Sequence, residues 1–402
     1  MKKVCVLLNK DLSHQTRLFR ENETLVKAGY DVSVVCVSEI PGKPKQEKQN
    51  GYAVCRLLKK RLYKYHLVSL RLLKSFLKVL TSHPRADYVH VHDPPVLLLG
   101  FLLAKFWKAR LVYDSHEWWD ALFQEEQDRL NNGTNMTPAQ RRKKLGQLSW
   151  MRRFESWVLP HCDAVIAVND SIGQHMQAQA PKPLKYYATI RNFSPYQQIE
   201  RSNRLHDHFN LPAPTKVILY QGQIARKRGI DKAVEAIEHL ADVDVVLVLI
   251  GPVLPADEQF LQTLLTRIEA SETLRDRVFY KGFIPSSELL QWTASADLGL
   301  QPIINTCMNH YLCLPNKIFE YIQANIPIAA SEFPELRNIV ENYKIGFVFD
   351  PENPRQIAQK IRQFFDSPEL KQAYLSNLQR AKQELCWETE EQKLLDLYAA
   401  IG

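Results

Sequence analysis

The chain has 402 residues, enough for two or three domains rather than one. Apolar residues make up 45% and charged residues 24%, an ordinary globular composition that excludes a low-complexity or disordered class. Net charge is +8 and unevenly placed: residues 1–200 carry 31 Lys and Arg against 18 Asp and Glu, and the remainder 21 against 26, which suggests two domains with different partners.

The opening "MKKVCVLLNK" has five apolar residues before Asn9, too few for a signal-peptide core, and reads as a first β-strand. The segment "TRLFRENETLVKAG" repeats apolar residues at helical spacing and stops at Gly29. "YDVSVVCV" is the next strand, and further strands are predicted at "YAVCRLL", "DYVHVH", "ARLVYD", "DAVIAV" and "KYYATI". Their continuous apolar character is that of parallel strands buried on both faces. After a polar, Pro-containing stretch from Ser194 to Thr215 the pattern restarts with "KVILYQG", "DVVLVLIG", "RVFYKG", "ADLGLQP", "IPIAAS" and "GFVFD". Helical segments alternate with the strands, which predicts two doubly wound α/β domains, 1–195 and 196–380. A last helix is expected to run from "PRQIAQKIRQFF" to "EEQKLLDLYAAIG". Ligands in such sheets bind beyond the carboxyl ends of the strands, so a cleft between the domains is the expected site.

The longest apolar run, Val96 to Ala104, is about half a membrane span. Seven cysteines without close pairing predict reduced thiols rather than a zinc site. Both features lead to the expectation of a cytoplasmic protein, in solution or on the inner face of the membrane. The segment Lys59 to Leu80 bears on the second alternative. Leucines and aromatics recur there at helical spacing among Lys59, Lys60, Arg61, Lys64, Arg71, Lys74 and Lys78, with no acid. Such a helix either offers cations to anionic lipid headgroups or is an amphipathic helix with a solvated basic face. Thr137 to Phe154 is a second basic stretch, with Trp150 within it. No nucleic-acid-binding module is recognisable.

Three stretches could carry chemistry. In "YLCLPNKIFEYIQANIPIAAS", Pro315 suits a first helical turn and Asn325 a left-handed cap. Ile318 and Ile322 would face the sheet, with Tyr321 beside them, leaving Asn316, Lys317, Glu320 and Gln323 on the other side. That face is either a solvated helix surface with a Lys–Glu pair or the floor of an anion site. A carboxylate one turn from a helix N-terminus can accept both hydroxyls of a ribose. In "YQGQIARKRGID" a strand ends at Gly222, and Arg226, Lys227 and Arg228 lead through Gly229 into a helix. That is a basic surface turn or a diphosphate cradle. In "LVYDSHEWWD", His116 follows a buried strand, where it either contacts a ligand or bonds locally with Asp114 or Glu117. His92 and Asp93 are read as the start of a Pro-Pro turn.

Together these pieces resemble the retaining glycosyltransferases of family 4, which have the GT-B fold of two Rossmann-like domains facing each other across a cleft. The resemblance covers nearly the whole chain. It is most specific in "LPNKIFEYIQANIPIAAS" and "YQGQIARKRGID", with weaker landmarks in "YDSHE", "CDAVIAVNDS", "IRNF" and "CWETEEQKLLDLY". It implies an N-terminal acceptor domain, a C-terminal domain holding a nucleoside diphosphate sugar as donor substrate, and a final helix, 381–402, packed back on the first domain. By that likeness Glu320 holds the ribose hydroxyls and Arg228 stands in for the family's diphosphate-binding lysine. Donor contacts fall to Gly222, Gln223, Arg226, Lys227, Leu314, Asn316 and Lys317, and acceptor contacts to His14, Arg17 and His116. His116, Arg228 and Glu320 form the implied catalytic set, without metal or other cofactor. Gln223 stands where the family usually has arginine. Leu312 stands where the family has the first glutamate of its Glu-x7-Glu motif, so backbone groups of Tyr311 to Asn316 would contact the sugar. Asn192 and Glu155 fall at recurrent family positions. The implied reaction transfers a hexose, with retention, to a hydroxyl of a glycan or lipid-linked acceptor in surface polysaccharide or glycolipid synthesis. The rival readings are a nucleotide-sugar epimerase of the same fold and a non-catalytic protein that binds sugar nucleotides or a membrane surface. Nucleoside diphosphate release that depends on an acceptor separates them.

Overall fold

A computed structural model of the chain describes residues 1–12, 15–38, 43–58, 70–131 and 136–402. They form two compact units, Met1–Asn192 with Glu390–Gly402, and Phe193–Thr389. The first unit carries strands β1 (Lys3–Leu8), β2 (Asp31–Ser38), β3 (Gln46–Gln49), β4 (Tyr52–Leu58), β5 (Tyr88–His92), β6 (Arg110–Ser115), β7 (Ala164–Ala167) and β8 (Tyr187–Thr189). Their order in the sheet is β3-β4-β2-β1-β5-β6-β7-β8, parallel throughout except at β3–β4. On central β1, Val6 lies opposite Val34 on one side and His90 on the other.

The second unit carries β9 (Lys216–Gln221), β10 (Val245–Ile250), β11 (Val278–Gly282), β12 (Leu298–Gln301), β13 (Ile328–Ser331) and β14 (Gly346–Phe349). They form a fully parallel sheet in the order β11-β10-β9-β12-β13-β14. Alternate residues feed two cores, one on each face. Val217, Leu219, Val246 and Val248 join Ile318, Ile322 and Leu336. Ile218, Tyr220, Leu247 and Leu249 join Val234, Ile237 and Ile361. Burial on both faces is why these strands read as unbroken apolar runs.

Every strand expected from the sequence is present, and β3 is an addition. It is a polar edge strand joined to β4 by Asn50 and Gly51, both at positive φ (48° and 87°). This is the conformation that favours Asn-Gly in a two-residue hairpin. The closing helix is three helices, Pro354–Phe365, Pro368–Glu384 and Trp387–Ala400. The break at Ser367–Pro368 has a local cause: Ser367 caps the second helix by accepting from Leu370 N–H, and Pro368 cannot continue the first. Of the basic segment Lys59 to Leu80, residues 59–69 lie outside the described residues, and a helix runs from Leu70 to Ser82. Among the described residues no helix is long and apolar enough to cross a membrane.

Glu155, on the helix Pro138–Val158, is buried, and its Oε1 accepts from the Tyr113 hydroxyl at 2.6 Å. Burial pushes its carboxyl up to about 8, against the pull of the Tyr113 hydrogen bond. A raised carboxyl contributes stability that is present at low pH and lost as pH rises through its folded value. Between about pH 5 and 8 this residue therefore lowers stability by up to about 1.4 kcal/mol per pH unit. Glu155→Gln keeps the acceptor for Tyr113 and is expected to flatten that slope. Urea midpoints across this range check it, and an unchanged slope overturns it.

Candidate functional site

The helix Asn316–Gln323 lies across the carboxyl end of β9. Ile318, Phe319, Tyr321 and Ile322 are buried, with the Phe319 ring 4.3 Å from that of Phe193. The Tyr321 hydroxyl donates toward Leu219 O and Leu300 O at 3.2 and 3.1 Å and accepts from Gln221 N–H at 3.2 Å, pinning the helix to two strands. At its C-terminus Asn325 takes φ 59°, and Ile326 N–H bonds back to Tyr321 O. The polar side divides. Gln323 is buried, accepting from Gln197 N–H and donating to Lys382 O, so it is a packing residue rather than part of an open face. Asn316 is exposed, whereas Lys317 and Glu320 are half-buried.

Glu320 is held by Gln221, whose amide donates to its carboxylate while accepting from Thr293 Oγ1 at 2.6 Å. Gln221 is the residue the sequence reading missed. Its signal is a polar side chain closing an otherwise apolar strand at the functional end. The Lys317 ammonium stands 3.8 Å from the centre of the Tyr220 ring. Gly222 sits at φ 126°, a conformation that favours glycine, and a Cβ there would also displace the Lys317 ammonium, 2.8 Å away. Burial and the positive charge of Arg228 push Lys317 well below the usual lysine range, and Glu320 opposes them.

Arg226 to Arg228 form one 3₁₀ turn ending at Gly229, φ 69°, where a Cβ would lie 1.9 Å from Pro302 O. Arg226 and Lys227 are exposed, Arg228 is half-buried, and the Arg226 guanidinium lies over the Phe260 ring at 5.4 Å. Arg228 and Lys227 act on His310, whose imidazole burial and those charges hold down to about 4. Arg228 also acts on Cys313. Thus Arg228, Lys317 and Glu320 belong to one electrostatic neighbourhood of the second unit, bordered by His310. The side chain of Gln223 donates to Asp257 at 3.2 Å. Leu312 is buried beside a half-buried Leu314, at the end of the short helix Met308–Tyr311.

In the first unit, His116 lines a cavity of about 370 Å³ with Asn9, Lys10, Gln15, His92 and Asp93. Its Nε2 is 3.1 Å from His92 Nδ1, and its Nδ1 is 3.5 Å from Asp93 Oδ2. Its close partners are thus His92 and Asp93; Asp114 lies 3.8 Å away. Asp93 opens the Pro94–Val96 turn at φ 68° and ψ 154°, a conformation that costs of order 1–3 kcal/mol for a residue with a side chain. Hydrogen bonds from His116 N–H and Trp119 Nε1, at 3.1 and 2.9 Å, hold its carboxylate in place.

Arg17, expected at the acceptor, is 4% exposed and serves the interior. Its Nε and Nη2 donate to Asp114 at 3.0 and 3.2 Å, its Nη1 donates to Ile190 O at 2.7 Å, and its Nε lies 2.8 Å from Glu21. A set of potential metal ligands, Glu21, His90, His92 and Asp114, converges there, and the cation set against its two carboxylates is the Arg17 guanidinium. His14 lies outside the described residues.

The chain matches the model "Glycosyl transferases group 1" over residues 202–380 and "Glycosyltransferase Family 4" over residues 15–192. It is 24% identical over 251 residues to an alpha-D-kanosaminyltransferase of Streptomyces kanamyceticus, an alignment covering 60% of this chain and 61% of that protein. The chain therefore spans about three fifths of that relative's length. Among solved structures it resembles sucrose-phosphate synthase from Thermosynechococcus elongatus, with TM-score 0.78 and 17% identity over 100% of this chain and 99% of that one. It also resembles Anabaena HepE in complex with UDP, with TM-score 0.73 and 16% identity over 100% of both chains. With a matched model on each unit and this fold over its whole length, the chain belongs to the family 4, group 1 glycosyltransferases of the GT-B fold.

Proposed function

We propose that the protein transfers a hexose from a nucleoside diphosphate sugar to a hydroxyl of a glycan or lipid-linked acceptor, with retention and without a metal. The observation that carries this reading is the grouping at the carboxyl end of β9, where Lys317 stands over Gly222, Glu320 is bonded to Gln221, and Arg228 acts on Lys317. Two cations close together repel, and an anion between them relieves that repulsion; Lys317 is depressed first by its burial and then by the charge of Arg228, and both costs fall when an anion binds. A diphosphate fits this need. Glu320, oriented by Gln221, is an acceptor-only group suited to the two hydroxyls of a ribose.

In this reading the diphosphate gains charge as the sugar leaves, and Arg228 with Lys317 stabilises it. Arg226 and Lys227 add positive potential at the rim, and Asn316 stands exposed at the helix start. Backbone groups of the loop through Leu314 meet the sugar. The departing phosphate oxygen accepts the acceptor's proton. The cavity at His116 takes the acceptor hydroxyl, with the imidazole held by His92 and Asp93.

The first probe is UDP, because it occupies the similar Anabaena structure. A panel of nucleotide sugars assayed for nucleoside diphosphate release, with and without glycan and lipid-linked acceptors, identifies the donor. Glu320→Ala is expected to weaken UDP binding by about a hundredfold or more, the loss of two hydrogen bonds to a charged group. EDTA is expected to leave turnover unchanged. Sugar alteration without an acceptor favours the epimerase, and binding without release favours the non-catalytic alternative.

A further inference from the structure

Three helices of the first unit turn apolar side chains outward where an exposed helix face is ordinarily polar. On Leu97–Trp107, Leu102 and Phe106 are exposed and Leu98 and Phe101 half-buried, so positions 98, 101, 102 and 106 form one outward stripe at helical spacing. On Pro138–Val158, Trp150 and Trp157 are exposed, with half-buried Phe154 between them. On Leu70–Ser82, Leu73 and Leu77 are about half exposed.

Ring contacts join the three faces into one surface. Phe76 meets Phe106 edge to face at 5.9 Å. Phe101 meets Trp157 at 5.4 Å and Phe154 at 6.5 Å, and Phe154 stacks on Trp150 at 5.0 Å. Lysines and arginines are interleaved with this ridge. Lys74, Lys78, Lys105, Arg142, Lys143 and Arg153 are exposed, and the Lys105 ammonium lies 5.5 Å from the Phe101 ring centre. The acid these three helices contain, Glu155, is buried against Tyr113.

We propose that this aromatic ridge docks on the surface of an anionic phospholipid bilayer. Charge complementarity selects that partner. A continuous apolar strip flanked by cations, with its acid turned inward, matches the boundary between headgroups and acyl chains, where Trp and Phe insert and Lys and Arg meet phosphate. The helices lie on the surface rather than span it: Leu97–Trp107 is only about 16 Å long, and no helix among the described residues is both long and apolar enough to cross. The inference does not rest on the transfer reaction. A bound layer of lipid would, however, place a lipid-linked acceptor in the plane the protein occupies.

The test is co-sedimentation of the full chain with sucrose-loaded vesicles, either phosphatidylcholine alone or phosphatidylcholine with 30% phosphatidylglycerol. Binding is expected to the second, to weaken as salt is raised, and to shift tryptophan emission to the blue. Lys74→Gln with Lys105→Gln is expected to lower the partition constant by roughly 25-fold, about fivefold per charge. Phe106→Ser with Trp157→Ser is expected to lower it at least as far, and the unfolding midpoint of the variant, measured alongside, shows that the chain is folded at the assay temperature despite the lost ring contacts. Equal binding by these variants, or absence of binding to the anionic vesicles, overturns the proposal. A dimer in sedimentation velocity that the Phe106 and Trp157 variant dissolves also overturns it, in favour of a second copy as the occupant.

Discussion

Arg228→Ala is expected to lower turnover of the proposed nucleotide-sugar donor by about 10²–10³-fold, the loss seen when one preorganised donor to a developing anion is removed. The guanidinium is half-buried at the edge of the group it forms with Lys317 and Glu320, and it acts electrostatically on Tyr220, His310, Cys313 and Lys317. Its backbone N–H still bonds to Ala225 O, and Gly229 still closes the turn, so the fold is retained. Arg228→Lys keeps the charge but loses the planar fork and is expected to fall within about tenfold of the parent. The alanine variant has a second signature. Without Arg228, Lys317 loses one of the two influences that depress it, so its pKa rises toward the ordinary range. Nucleoside diphosphate binding measured against pH should then retain its affinity to higher pH than in the parent. Near-parental turnover by Arg228→Ala removes this residue, and with it the proposed diphosphate cradle, from the mechanism.

The helix and the basic turn of the second unit were open to sequence because they rest on spacing; the donor role given to them is what the family resemblance implies. Ile318 and Ile322 four apart fix the inner face of their helix, and Asn325 fixes its end. Pro315 marks the start as the residue just before the helix rather than within its first turn. Gly222 and Gly229 likewise announce positions where the backbone takes φ 126° and 69°. Spacing carries no information about which polar residue a distant segment will cover. Gln323 is buried because Gln197 and the carbonyl of Lys382, both far away in sequence, supply its partners. The resemblance makes Arg17 an acceptor contact, yet its partner Asp114 is 97 residues away on β6. Gln223 is bound to Asp257 for the same reason. Local rules determined the elements, and long-range pairing decided which charges remained at the surface. The hairpin at Asn50–Gly51 is the opposite case. Its turn signal is strong, and it was masked because the preceding strand has no apolar alternation.

Arg17→Met destabilises the first unit by about 3–5 kcal/mol, the cost of leaving a buried charge without its partner. Asp114 has no exposed surface, and its carboxylate takes two hydrogen bonds from Arg17. Burial alone would raise this carboxyl; the charge of Arg17, assisted by His116, His92 and His90, carries it below the usual range. Glu21 beside it is driven the other way, mainly by burial, and shares the same guanidinium. His90 and His92 are held down by burial and supply no substitute charge at neutral pH. Methionine has similar reach and flexibility but leaves Asp114 unpaired, against a total stability of about 5–15 kcal/mol for a typical domain. The sign of the pH dependence follows. In the parent, a depressed Asp114 contributes stability that is present above its unfolded pKa and lost as pH falls through the folded one. In the variant, burial raises Asp114, which is then most easily accommodated when protonated. The deficit is therefore largest near pH 7 and shrinks toward pH 4. Urea unfolding can follow it at the tryptophans, since Trp107, Trp118, Trp119, Trp150 and Trp157 all lie in this unit. Adding Asp114→Leu to Arg17→Met removes the orphaned charge and is expected to recover part of the loss. A deficit under about 1 kcal/mol, or one independent of pH, would mean that water rather than Arg17 solvates Asp114.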